Sequence, residues 1–113
     1  MENIIFNELK LRGFNVDVGV VEYNYKDSEG KSRRSKLEVD FIANLGSKKF
    51  YIQSAFNIDD EQKKEQETAS LNRIDDSFSK IVVVKDNIEP WQDDKGIQYI
   101  GIEQFLLEED WLR

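Results

Sequence analysis

The chain has neither cysteine nor histidine. That removes disulfides, thiolate nucleophiles, zinc sites of the Cys/His kind and any Ser-His-Asp triad. Carboxylate, amide, hydroxyl and lysine remain, a set that suits hard oxygen-binding cations such as Mg²⁺ or Mn²⁺. Two of these groups are related by spacing. Gly46-Ser47 reads as a two-residue hairpin turn of the Gly-X kind, so Leu45 faces Lys48. The same register sets Asp40 opposite Gln53 and Glu38 opposite Ala55. Side chains paired in this way share a face, with Cβ atoms about 4.5–5.5 Å apart, so an acid and an amide oxygen can both reach one cation. A one-residue slip would destroy the arrangement. A plainer reading stays open, in which Asp40 belongs to the polar face of a half-solvated strand and Gln53 is its hydrogen-bond neighbour. Aspartate is, however, poorly suited to a strand interior, and the flanking IANL and FYI are apolar. A carboxylate held there is costly unless it is paired, hydrogen-bonded or metal-bound.

The elements that must position this pair follow from periodicity. Ile5, Phe6 and Leu9 fall at helical spacing in Glu2–Arg12, with Gly13 placed as the C′ residue. That helix begins at once, with nothing before it to cap it, so the chain is expected to be a piece of something longer. Phe14–Tyr25 has the Val and Tyr content of a strand, and Lys26–Ser32 is a polar turn. Lys36–Leu45 alternates, with Leu37, Val39, Phe41 and Ala43 predicted on one face and Glu38, Asp40, Ile42 and Asn44 on the other. Lys48–Phe56 is the returning strand. A helix is predicted over Asn57–Asp75, opened by an Asp59/Gln62 capping box and anchored at its far end by Leu71 and Ile74. Its first half, DDEQKKEQE, has no apolar face. Lys80–Lys85 has the β-branched run of a strand buried on both faces. A loop with Pro90 spans Asn87–Gly96, a strand Ile97–Ile102, and a closing helix Glu103–Trp111. The predicted order is α-β-β-β-α-β-β-α, an α/β domain with a mixed sheet flanked by helices.

At 113 residues the chain is one domain, 1–113, with 39% apolar and 12% aromatic residues to build a core. No apolar run approaches the roughly 18 residues of a membrane span, and no signal-peptide pattern follows Met1. The lack of cysteine fits a reducing compartment, and the expected location is the cytoplasm. The net charge of −7 argues against a non-specific nucleic-acid glue.

Several short motifs then line up. A helix with a glutamate eleven residues before a Gly-aromatic end (Glu2 to Gly13-Phe14) is followed by EVDF (Glu38–Phe41) and YIQSAF (Tyr51–Phe56). In this order they resemble the PD-(D/E)XK nuclease superfamily, the restriction-endonuclease-like fold. More closely, ENIIFNEL, EVDF, YIQ and the closing GIQYIGIEQFLL resemble the uncharacterised C-terminal domain of bacterial and archaeal AAA-type ATPases. The likeness covers nearly the whole chain. It implies that Asp40 is the metal-binding acid, that Gln53 stands at the second acid, and that Glu2 is the helix-borne acid. Ala55 stands where the family has its lysine, which is thought to activate the attacking water and stabilise charge on phosphate. With Gln53 in place of an acid, divalent-ion affinity should also fall. Lys63 or Lys64 on the second helix is the candidate for a relocated lysine, against the reading that both are ordinary solvated lysines.

Lys31, Arg33, Arg34 and Lys36 form a basic stretch at the first hairpin, with Lys48 and Lys49 nearer the other hairpin end. Such a stretch can contact a phosphate backbone or can simply keep a hairpin rim soluble and unpaired. Trp91 and Trp111 are expected to pack rather than to stack on bases. The leading expectation is a nuclease-like accessory domain of an AAA-type ATPase, with a weakly held Mg²⁺ or Mn²⁺, binding nucleic acid or a protein partner. An active Mg²⁺-dependent nuclease and a pure protein-interaction domain, docking its polar helix on the ATPase part, are the alternatives. There is no GxxxxGK[ST], so ATP would bind to another part of the parent protein.

Overall fold

The first helix, α1 (Glu2–Leu11), buries Ile5 and Leu9 one turn apart, with Met1 and Phe6 packed against the same cluster. It ends in a Schellman arrangement: the Phe14 N–H donates to the Leu9 carbonyl and the Gly13 N–H to that of Lys10. The computed structural model describes residues 1–58, 60–74 and 76–108. Strands β1 (Asn15–Lys26), β2 (Ser32–Leu45) and β3 (Lys48–Ala55) form an antiparallel meander. Helix α2 (Glu61–Asn72) crosses over to β4 (Ser79–Val84), which lies parallel to β3. The chain continues through β5 (Trp91–Gln92) and β6 (Ile97–Gly101) to α3 (Ile102–Leu107). The sheet order is β1-β2-β3-β4-β6-β5, with β4 and β6 parallel and β5 antiparallel to β6.

The sheet is covered on both faces. Ile5 and Leu9 of α1 and Phe105 of α3 pack with Phe41, Ala43, Phe50, Ile52, Ile81 and Val83. On the other face Leu71 of α2 packs with Val39, Tyr51, Ala55, Val82, Val84 and Tyr99. Successive β4 residues thus enter opposite cores, as expected of a strand buried on both faces. The Arg12 guanidinium ties α1 to α3 on the first face, pairing with Glu8 and donating to the carbonyls of Phe105, Leu106 and Glu108. These carbonyls lie at the end of α3, where a helix has no internal donors left. No helix among the described residues is long and apolar enough to cross a membrane.

Four expectations need correction. The loop before β6 contains the short strand β5, whose Trp91 stacks on Tyr99 of β6 with ring centroids 4.1 Å apart. Helix α2 starts at Glu61 rather than Asn57, and its cap is Asp60, which accepts the Lys63 N–H at 2.7 Å; Asp59 lies outside the described residues. Helix α3 runs over Ile102–Leu107, and Trp111 also lies outside them. The fourth concerns β2. Asp17 pairs with Ile42 but Gly19 with Val39, so Val18 stands against both Asp40 and Phe41. This β-bulge breaks the expected alternation: Phe41 and Ala43 enter the α1 core, whereas Val39 enters the α2 core. Gly19 makes room for it, since a Cβ there would come within 2.7 Å of Ile42 Cγ1.

Candidate functional site

The second hairpin keeps the register its turn chemistry demands. Gly46 takes a φ of 60°, and the ladder runs from Leu45↔Lys48 to Phe41↔Ile52. The next positions along it are Asp40 and Gln53. There side chains replace backbone partners: the Asp40 N–H donates to Gln53 Oε1 at 3.1 Å. Asp40 Oδ2 in turn accepts the Ser54 N–H at 2.9 Å and the Ser54 hydroxyl at 2.7 Å. The bulge at Asp40–Phe41 re-aims the carboxylate so that it meets Ser54, one residue beyond the partner that the register assigns. Three hydrogen bonds therefore hold Asp40 in place, and its Oδ1 accepts none among the described residues.

Asp40 opens onto a cleft of about 550 Å³ at the carboxyl end of β3. Glu2 lines it from the start of α1, Gln53, Ser54 and Ala55 from β3, and Glu67 from α2. The cleft thus gathers residues from four elements. Glu2, Asp40 and Gln53, singled out from sequence, lie around one space, and Ala55 adds a methyl-bearing wall that is 4% exposed. Ser54 and Glu67 were not foreseen. Ser54 follows Gln53 and on a regular strand would face away from Asp40, so only the bulge brings it in. Glu67 sits in a helix so uniformly polar that no pattern separates one acid from the next.

The donors are of the oxygen kind that suits Mg²⁺ or Mn²⁺. Among the described residues, however, no three of the Asp and Glu side chains converge closely enough to hold a metal ion. Gln53 Oε1 already accepts one hydrogen bond, and Asp40 Oδ2 accepts two. The set is thus incomplete for a tightly held cation.

Neither Lys63 nor Lys64 lines this cleft. Lys63 Nζ donates to Asn57 Oδ1 at 3.2 Å. Lys64 lies over Trp91 and Tyr99, with Nζ 5.1 and 5.9 Å from their ring centroids. Beneath it the Tyr99 hydroxyl donates to Asp93 Oδ2 at 2.8 Å. Burial and Asp93 together push the Tyr99 phenol well above its usual range. Partial burial works to raise Asp93. The hydrogen bonds from Tyr99, Ile97 N–H and Lys95 N–H, with the charge of Lys64, prevail and hold it below the ordinary carboxylate value. Lys64 is engaged in this buttress of β5 and β6.

The basic stretch is matched by acids of its own hairpin. Arg33 pairs with Asp27 at 2.8 Å, Lys31 with Glu29 at 3.8 Å, and Arg34 and Lys36 each reach Glu22 at 4.0 Å. Arg33 Nε, and then the Lys31 N–H, hold the Asp27 carboxyl below its usual value. Pairing of this kind weakens the field that a phosphate backbone would feel.

Cleft and sheet together define a mixed α/β domain with an acid-and-amide cleft at a strand end. No family model matches the chain, and no solved structure matches it. It is similar to an uncharacterised protein of Haemophilus influenzae, 35% identical over 108 residues. The aligned region is 96% of this chain and 23% of that protein, so the chain spans about a quarter of its relative's length.

Proposed function

We propose that this chain is a restriction-endonuclease-like domain whose PD-(D/E)XK site is depleted. In this reading it serves a larger AAA-type ATPase as an accessory module that binds nucleic acid, with hydrolysis weak or absent. The observation that carries the reading is the meeting of Glu2, Asp40 and Gln53 around one cleft, with Ala55 in its wall. An alanine methyl can neither activate water nor stabilise charge on a phosphate, and none of the side chains lining the cleft among the described residues is basic. The order α1-β1-β2-β3-α2-β4, a meander followed by a parallel crossover, supports the reading only as far as a mixed sheet flanked by helices. The match to a quarter of a longer relative supports a role as one part of a larger protein.

A calorimetric Mn²⁺ titration of the chain beside Asp40→Ala, paired with cleavage assays on DNA and RNA, tests the reading. Weak saturable binding that the variant loses, without cleavage, is the expected result. Metal-dependent cleavage that disappears in Asp40→Ala would make the domain a working nuclease and overturn the depleted-site reading.

A further inference from the structure

The rim of the cleft carries an exposed aromatic ring with a cation over one of its two faces. Phe56 lines the cleft immediately after β3 and is 71% exposed, a large apolar surface to leave in water. Lys85 follows β4 on the neighbouring parallel strand. Its N–H donates to the Ala55 carbonyl at 3.1 Å, and its Nζ lies 4.8 Å from the centroid of the Phe56 ring. Among the described residues no acid pairs with Lys85, whereas Lys31, Arg33, Arg34 and Lys36 of the first hairpin each face one. The ends of parallel strands are where open α/β sheets bind ligands.

We propose that this rim binds single-stranded nucleic acid, with an unstacked base on Phe56 and the adjoining phosphate on Lys85. An aromatic face accepts a base only when the base has left its own stack, so the pair selects single strands over duplex. The ammonium supplies the positive charge that a polyanion needs at the mouth of an otherwise acidic cleft. The proposal rests on the preceding reading for the choice of a phosphodiester ligand and names the form of that ligand.

The test is fluorescence anisotropy of a labelled dodecamer as single-stranded DNA, single-stranded RNA and duplex. It is run in Ca²⁺ across a salt series, with the 113-residue chain, Phe56→Ala and Lys85→Gln. Both side chains lie on the surface, and circular dichroism checks that the variants are folded. Single strands are expected to bind at least about tenfold tighter than duplex, and Phe56→Ala to lose about tenfold. Lys85→Gln should lower the salt slope by about 0.7. A preference for either sugar fits the proposal. Equal or tighter duplex binding, unchanged variants, or no binding of any form overturns it. Mn²⁺ binding lost in Asp40→Ala beside unaffected rim variants would leave the depleted-site reading standing and this proposal refuted. Phe56-dependent strand binding in a protein that takes up no Mn²⁺ would do the reverse.

Discussion

Ser54 donates twice to a single oxygen of Asp40, through its backbone N–H at 2.9 Å and its hydroxyl at 2.7 Å. The bond is charge-assisted and half-buried, which makes Asp40 a structural keystone of the β2–β3 junction as well as a candidate ligand. Asp40→Ala should therefore lower stability by about 1–3 kcal/mol and Ser54→Ala by about 1 kcal/mol. In urea unfolding the double variant should lose less than the sum, because the two residues share their bonds. Additive losses would show that the pair is not coupled.

Gln53→Glu places a second carboxylate beside Asp40. Two like charges at this distance repel, so the metal-free variant should unfold at lower urea concentration than the parent. Divalent-ion affinity should rise, since charge count in the ligand set governs it. Calorimetric Mn²⁺ titrations with and without the substitution read both effects; an unchanged affinity would detach Gln53 from any cation site.

Tyr51 and Tyr99 govern the alkaline limb of stability. Tyr99 is raised as described, and burial with its hydrogen bond to Asp76 at 2.5 Å pushes Tyr51 to about 12. A group whose pKa is raised by folding contributes fully below its unfolded value of 10.0. That contribution is lost as pH climbs, because the unfolded chain releases the proton first. Stability should fall above about pH 10, by roughly 1.4 kcal/mol per pH unit for each tyrosine. Tyr51→Phe and Tyr99→Phe should each flatten the decline in urea midpoints measured against pH, and an unchanged slope in both would contradict the assignment.

Gly19→Ala places a methyl within 2.7 Å of Ile42 Cγ1 and 3.2 Å of Val39 Cβ, on the strand that carries the bulge. Ile42 or the bulge must shift, and a loss of about 1–3 kcal/mol is expected. Because the bulge aims Asp40, the variant should also weaken any Mn²⁺ binding. A variant as stable as the parent would mean that β2 adapts freely.

Local chemistry in the sequence determined α1 and its end at Gly13, the Gly46-Ser47 turn, the register of β2 on β3, and the doubly buried β4. Each depends on near neighbours in the chain: a helical repeat, a turn that admits one loop length, a β-branched run. The candidate site was legible to the same extent, since the turn sets Asp40 and Gln53 at matching positions. What they do to each other was decided by tertiary structure. The bulge opposite Val18 depends on a neighbouring strand and on room at Gly19, so it breaks an alternation that the sequence alone would continue. That one extra residue brings Ser54 to Asp40 and turns an expected pair of metal-facing oxygens into a hydrogen-bonded lock. Glu67 comes to the cleft, and Lys85 to the Phe56 ring, only because the crossover through α2 lays β4 beside β3, a packing of distant segments that no local pattern encodes.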